Sequence, residues 1–520
     1  MSDDRSIPGN DSSASPARPS PRSDDAQQIN QRAASSKESD HAQNPGAIRS
    51  GNLAGRSLPS AIVVLALPIL LEQFANAFVT LVDNTLTGNL PEGIAIPALD
   101  GVGVASYMSW FIGVSMSAIG VGGMALIARA IGGGNIRLAE RALGQAFTFG
   151  ILWGCVIGLF IWLITPPLTV LAHLSPDATK YCIQYTNILA AGLPISATLM
   201  ISMTCLHGAG ETARPFFIML AVNIVNIFAS FLLSGVDINV QFGSFHIIIN
   251  NPLSVDWYVI GIAAGTVIGQ AVGCILIIIL MVKGAHGTHL RLRDMAPDLS
   301  TLFRIIRIGV PSFFDGFGMW AGQLIAVFWV IGEIARRTGE DVGLLGSHLI
   351  TIRWEAFSFM PGFAMGVAAG TLAGQFLGAG NKKMAVRAVI ACTVVGMILM
   401  GSAGLIFIFE GETLTRIISD NPIHLQTAPR LLFICGLVQV AFAVAMVIRG
   451  ALRGAGDTTA SMLITWFSTY AIRIPLCWLF GIVLGYGLTG VWIGLSLELL
   501  MRSLLFLGRF LQGNWKNIKV

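Results

Sequence analysis

The chain has 520 residues, of which 54% are hydrophobic and only 12% charged, with a net charge of +4. Soluble domains carry roughly 25% charged residues, so an ordinary globular domain is excluded and an integral membrane protein is implied. The small positive balance asks for no nucleic-acid partner.

Residues 1–56 are rich in Ser, Asp, Gln, Arg and Pro without apolar periodicity. Such a segment buries too little surface to offset the entropy of ordering, so it is expected to be a disordered cytoplasmic tail. No short apolar core with a cleavage site opens the chain, and the first span is expected to serve as its own insertion signal. Beyond the tail, apolar runs repeatedly reach the ~20 residues that a helix needs to cross the hydrocarbon layer. Twelve such spans are expected at 59–87, 101–131, 139–163, 180–206, 214–234, 257–282, 303–333, 345–376, 385–409, 425–452, 459–484 and 487–511.

An even number of spans puts both termini on one side. Basic residues crowd the loops of that side, with Arg129, Arg137 and Arg141 in one and Lys283, Arg291, Arg293, Arg304 and Arg307 in another. Basic segments resist translocation, so both termini are expected to be cytoplasmic. All seven Cys fall in apolar runs and read as small hydrophobes rather than a disulfide framework.

An internal repeat organises these spans. ARAIGGGNIRLAERA at 128–142 aligns with GQFLGAGNKKMAVRA at 374–388, and GAGET at 208–212 with GAGDT at 454–458, both at an offset of 246. The expected fold is therefore all-α, with twelve transmembrane helices in two pseudo-symmetric six-helix lobes. Residues 57–283 form the N-lobe, 284–302 a cytoplasmic linker, 303–513 the C-lobe and 514–520 a cytoplasmic C-terminus. The repeated glycine-rich loops read as architectural turns. IGGGN lacks the strand and the Lys-Ser or Lys-Thr of a phosphate loop, and no CxxC, HExxH or GxSxG appears. An enzyme is not expected.

A charge inside a spanning helix costs about 2.5–3.5 kcal/mol on insertion scales and marks function by default. The intramembrane charges considered are Glu72, Asp83, Asp315, Arg353, Glu355, Arg473 and Glu498. Helical spacing puts Glu72, Asn76 and Asp83 on one stripe of the first span. In the fifth span Asn223, Asn226 and Ser230 share a face. Their oxygens, beside a carboxylate, suit a hard cation or tune a proton-binding carboxyl. Glu72 follows Pro68 by four residues as Asp315 follows Pro311, so each half is expected to present an acid to the central cleft. Arg353 and Glu355 lie two apart and point to different faces, with Glu355 the cavity candidate. Arg473 and Glu498 read as members of structural pairs or as side chains that snorkel to an interface.

Together LPILLEQFANAFVTLVDNTLTG, ARAIGGGN, LHGAGETARP, FMPGFAMGVAAGTLAGQFLGAGN and ALRGAGDTTASM resemble the multidrug and toxic compound extrusion (MATE) transporters over about 59–511. The resemblance implies an antiporter that exports organic, often cationic, compounds against inward Na+ or H+. On it, Asp83 matches the first-helix Asp of the cation-coupling site and Asn226 its fifth-helix Asn. Ser230 stands where some members carry a second Asp. The seventh-helix Glu of another branch is absent, with Asp315 a turn before Met319, and LVQVAFAVAM holds no counterpart of its tenth-helix Asp. The stretch with Arg353, Trp354, Glu355 and Phe357 resembles bacterial members, which implies an inner-membrane location.

The resulting expectations are a cation-coupling site of Asp83, Asn223 and Asn226, with Asp83 and Asn226 able to hold Na+ as coupling ion. Glu72, Asn76, Asp315 and Glu355 are expected at the substrate cavity. No cofactor is expected beyond the coupling ion, and the protein is expected to be a monomer in the lipid bilayer that handles small organic molecules. The alternative is a lipid-linked oligosaccharide flippase, placed second because the spans were read as holding two Arg and no basic cluster.

Overall fold

In a computed structural model of the chain, residues 52–91, 93–242, 245–253, 255–284, 288–338 and 343–520 are described. The expected tail lies outside them except for 52–56. There Leu53 is buried and the Asn52 side chain donates to the Gly210 carbonyl at 3.2 Å, so residues 52–56 pack on the N-lobe rather than belonging to a free tail.

The N-lobe comprises α1 (Leu58–Gly88), α2 (Ala95–Gly132), α3 (Ile136–Leu171), α4 (Pro176–Gly208), α5 (Ala213–Ser234) and α6 (Tyr258–Lys283). The C-lobe comprises α7 (Leu299–Arg337), α8 (Leu344–Gly378), α9 (Lys382–Phe409), a short α10 (Gly411–Ile418), α11 (Pro422–Leu437), α12 (Gln439–Ala455), α13 (Thr458–Val483) and α14 (Gly487–Gln512). Among the described residues, eleven helices are long and apolar enough to cross a membrane, and α11 with α12 makes a twelfth span bent by 54°. The observed helices outrun the apolar windows because polar residues cap them: Ser175, Asp298 and Asn421 accept from backbone N–H groups one or two residues inside their helices or a turn in.

Three features depart from the expected spans. The span at 425–452 breaks at Val438, beside Gly436, whose missing side chain lets it press against the Gly404 carbonyl. A β-hairpin, β1 (Ile238–Phe242) with β2 (Phe245–Ile249), is inserted between α5 and α6 in antiparallel register Ile238↔Ile249. Short π-helical stretches interrupt α7 at Ile325–Ile331 and α13 at Phe467–Arg473 and Leu479–Val483. Such bulges re-aim side chains, commonly at functional positions.

The sequence repeat is visible in the backbone. Asn135 caps α3 by accepting from Leu138 N at 3.1 Å, and Asn381 caps α9 by accepting from Met384 N at 3.0 Å. Gly134 and Gly380, at φ +78° and +80°, make the left-handed turn before each cap. Gly210 and Gly456 do the same in the second pair of loops, at +82° and +90°.

The lobes meet tightly at the end of the bundle that carries the start of α1 and the end of α14. A Cβ on Gly132 would lie 1.9 Å from the Gln375 carbonyl oxygen, and one on Gly378 would lie 2.1 Å from that of Arg129. Across the same seam the Thr371 hydroxyl donates to the His207 carbonyl and the Gln375 amide to that of Gly208, each at 3.0 Å. Arg129 donates to the Ala455 carbonyl at 3.0 Å. The inter-lobe linker is fixed to α3 by Gln145, whose amide donates to Asp294 and Ala296 carbonyls at 2.9 and 2.6 Å and accepts from Asp298 N at 3.0 Å.

Two outcomes follow from this packing. Gly378→Val inserts atoms where none fit, and overpacking costs about 1–3 kcal/mol. Labels at the exposed positions 137 and 382 are expected to move apart in that variant, and an unchanged separation would show that the seam tolerates the side chain. Asp298 lies in the linker, and hydrogen bonds from Ser300 and Thr301 hold its carboxyl down at about 2. A depressed folded-state value means that its contribution is present above the ordinary Asp range near 3.9 and is lost as pH falls through about 2. Asp298→Ala is expected to cost about 1 kcal/mol at neutral pH, read as a lower melting temperature in detergent, with the difference from the parent vanishing in acid.

Candidate functional site

Between the lobes, in the half of the bundle away from the termini, lies a cavity of about 520 Å3. That volume suits a drug-sized molecule. The N-lobe contributes Ser106, Tyr107 and Trp110 of α2, and the C-lobe contributes all the rest, including Phe359, Phe442 and Trp492. Its position follows from the two features that broke the expected spans. Val438, at the α11–α12 break, and Val327, in the π stretch of α7, both line the wall. Below it, Trp320 donates to the Tyr107 carbonyl at 3.1 Å, and Phe111 meets Phe313, Phe317 and Trp320 with ring centroids 6.4, 6.4 and 5.4 Å away. These rings close the floor between the lobes.

Glu355 lines the cavity, and its carboxylate has no hydrogen-bond partner among the described residues, while Arg353 is exposed on the other side of α8. Arg473 is the base whose charge reaches Glu355. Arg473 is nonetheless committed elsewhere. It donates to Glu498 at 2.8 Å and to Gln323 at 3.3 Å, and Arg502 donates to the other Glu498 oxygen at 2.6 Å. Arg502 also donates to Ser468 at 2.9 Å and Thr469 at 3.0 Å, both presented by the π stretch of α13. Glu498 is 0% exposed, and buried charges persist only when paired in this way. The pairing expected of Arg473 and Glu498 is therefore found, with Arg502 added.

Asp315 differs from its expected place at the cavity. It is 0% exposed and is not among the residues of the cavity wall. Arg449 holds it at 2.8 Å, Ser461 donates to it at 3.2 Å, and Arg453, which donates to Ser312 at 2.7 Å, adds a second positive charge. A buried carboxylate so close to two guanidinium groups is a clamp within the C-lobe.

Glu72 and Asn76 are also absent from that wall. Glu72 is buried opposite His207 of α4, with Oε2 and Nε2 3.9 Å apart. Asn76 accepts from the Asn223 amide at 3.1 Å, which ties α1 to α5. Asn226 donates to the Thr266 hydroxyl of α6 at 3.0 Å, and its own Oδ1 is buried without a partner. Asp83 is half-buried, with Oδ1 likewise buried and without a partner, and Tyr185 of α4 lies within reach of its charge. The structure thus brings Asn223 to Asn76 rather than to Asp83, and leaves one free oxygen each on Asp83 and Asn226. Ser230 donates to the Ile262 carbonyl at 3.2 Å, packing α5 on α6.

Sequence reasoning passed over four residues. Arg449 and Arg502 lie inside expected spans and Arg453 just beyond one, so the count of two intramembrane Arg was low. His207 sits in the last turn of α4. The signal for all four was available: a cation inside an apolar run requires a buried acid, and the acids had already been singled out. The corrected count does not make a basic cleft, because Arg449 is closed on Asp315, and Arg473 and Arg502 on Glu498.

Comparison with known proteins agrees with this architecture. The MatE family profile matches the chain twice, at residues 68–232 and 311–479, once in each lobe. A probable multidrug resistance protein NorM of Thermotoga maritima is 28% identical over 459 residues, covering 88% of this chain and 92% of the relative. The multidrug resistance protein PmpM of Pseudomonas aeruginosa is 24% identical over 445 residues, covering 84% and 88%. Among solved structures, a multidrug resistance MATE family transporter in an outward-facing conformation superposes with a TM-score of 0.77 at 19% identity, covering 89% of this chain and 98% of the other. With the profile matching well over half of its residues and both lobes of the fold in place, this twelve-span integral membrane protein belongs to the MatE family, the multidrug and toxic compound extrusion transporters.

Proposed function

We propose that the protein is a secondary antiporter that exports organic cations in exchange for Na+ or H+. It works as a monomer in a bacterial inner membrane with both termini cytoplasmic. The observation that carries this reading is the cavity itself. It is walled by aromatic rings, holds one carboxylate without a hydrogen-bond partner at Glu355, and is shut off from the terminal end by the seam of Gly132, Gly378 and Gln375. An aromatic wall with one free negative charge binds flat cations by stacking and charge together. The names of NorM and PmpM, both multidrug resistance proteins, support export as the direction. The crowding of Lys and Arg on the terminal side supports the orientation.

In this reading the cavity faces outward in the present conformation. A coupling cation draws on the free Oδ1 atoms of Asp83 and Asn226, with Asn223 holding α5 to α1 through Asn76. Drug and cation prefer different conformations, and each moves the equilibrium only by its difference in affinity for the two. The flippase alternative needs a free basic cleft for pyrophosphate, and the Arg groups at the wall are already shared with Glu498.

Dye efflux from vesicles under separately imposed sodium and proton gradients tests the coupling, and equal export with neither gradient would overturn it. Asp83→Asn keeps the shape and removes the charge, so gradient-driven efflux of a fluorescent cation is expected to fall at least tenfold, whereas wild-type rates would remove Asp83 from the mechanism. Glu355→Gln is expected to raise the KM for a cationic dye about tenfold, since a hydrogen bond to a charged group contributes about 1.5–3 kcal/mol. A neutral dye of the same shape is the control, and an equal effect on both would show that Glu355 supports the fold rather than the charge.

A further inference from the structure

The two lobes place an acid and a base at the same repeat position but choose bases of different kinds. Glu72 stands four residues after Pro68 as Asp315 stands four after Pro311, and His207 precedes GAGET as Arg453 precedes GAGDT. In the C-lobe the acid is clamped by Arg449 at 2.8 Å with Arg453 beside it, and guanidinium is never deprotonated in proteins. In the N-lobe the acid faces an imidazole, whose ordinary pKa near 6.5 lets it gain and lose a proton.

We infer that Glu72 and His207 form a proton-binding site that controls the seam between the lobes. This rests on the reading of the protein as an antiporter and names the ion of its N-lobe. Oε2 of Glu72 and Nε2 of His207 are 3.9 Å apart, and each is buried with no hydrogen-bond partner. With one proton the pair is satisfied, either as neutral acid and imidazole or as carboxylate and imidazolium. With none, a carboxylate is left unpaired away from water, which costs several kcal/mol.

The same histidine is part of the seam. Its carbonyl accepts the Thr371 hydroxyl, and that of the adjacent Gly208 accepts the Gln375 amide, both from α8 of the other lobe. Parting the seam hydrates the pair and removes the need for its proton. The sealed form therefore holds one proton more than the open form, so opening releases a proton toward the terminal side.

Around the pair, Glu211, buried just past the end of α4, accepts from Arg214 N at 3.3 Å. On α2, Arg129 is turned to the Ala455 carbonyl. On α3, Glu140 accepts from His289 N and is met by Arg291. On α5, Asn223 is bound to Asn76 and Arg214 is exposed. The charged residue of α6 is Lys283, in its last turn, and the facing residues of α8 are the neutral Thr371 and Gln375. Farther along α1, Asp83 lies about three turns from Glu72. Within α4 itself, Cys205 is packed against Gly123.

The test is the separation of spin labels at the exposed positions 137 and 382, measured on the full-length protein across a pH series. One proton of linkage changes the ratio of open to sealed forms tenfold per pH unit within the titrating window, with the open form gaining as pH rises. Glu72→Gln is expected to abolish that slope, and His207→Arg, which sets a permanently charged group opposite Glu72, to keep the seam closed at every pH. A wild-type seam indifferent to pH, or a slope that survives Glu72→Gln, would overturn the inference. Asp83→Asn separates this from the antiport reading: unimpaired efflux there counts against coupling at Asp83, while an intact pH slope in the same variant retains the pair.

Discussion

The structure depends on one constraint: a charge inside the bundle must find a partner or a use. Hydrocarbon and packed side chains solvate charge poorly, so a lone buried carboxylate is several kcal/mol out of place. Asp315 meets this by the Arg449 clamp, and Glu498 by two guanidinium groups and the hydroxyls that support them. Those networks rigidify the C-lobe around the cavity. Once they are accounted for, Glu355, Asp83 and the Glu72–His207 pair remain, among the intramembrane acids singled out in the sequence, as those not closed by an arginine, and the proposed function gives each a moving ion or molecule to meet.

A repeat makes two lobes cheaply, but identical lobes would respond identically. Here the shared backbone plan, with Asn caps and left-handed glycines at matched positions, carries different side chains. The C-lobe is fixed by arginine and supplies most of the cavity wall. The N-lobe keeps free oxygens on Asp83 and Asn226 and a base that titrates. In the proposed function, a division of labour between a rigid recognition lobe and a responsive lobe thus arises from a handful of substitutions on one scaffold.

What the sequence made legible follows the physics of each feature. Span positions came through because hydrocarbon thickness imposes a length and an apolar composition that no loop shares. The repeat came through because glycine is strongly favoured where φ is positive, as at Gly134 and Gly380. The break at Val438 was hidden, since it lies beside the close contact of Gly436 with Gly404, a relation set by packing. Partner choice was hidden for the same reason. Asp315 is tied to Arg449 across 134 residues, and helical spacing shows which face a residue occupies, not what a neighbouring helix brings to it. Asn76 and Asn223 were each singled out, yet their mutual bond, across 147 residues, assigns them to a helix-to-helix tie rather than to separate sites.

The seam between the lobes is where these threads meet. Gly132 and Gly378 let backbones touch, so the closed form is tightly packed and tolerates no intermediate spacing. A contact of that kind is bistable: it is either made or broken. Coupling then requires only that an ion bias the choice, and a bias needs a group whose energy differs between the dry and the wet arrangement. A clamped ion pair such as Asp315 with Arg449 differs little while the lobe stays intact, because its partner is always present. A carboxylate whose sole partner is a histidine, lying directly behind the hydrogen bonds of the seam, differs by the presence of one proton. A histidine facing the N-lobe acid, where the C-lobe sets Arg449 on Asp315 and Arg453 on Ser312, is therefore enough to make a place where proton binding and lobe contact are one event.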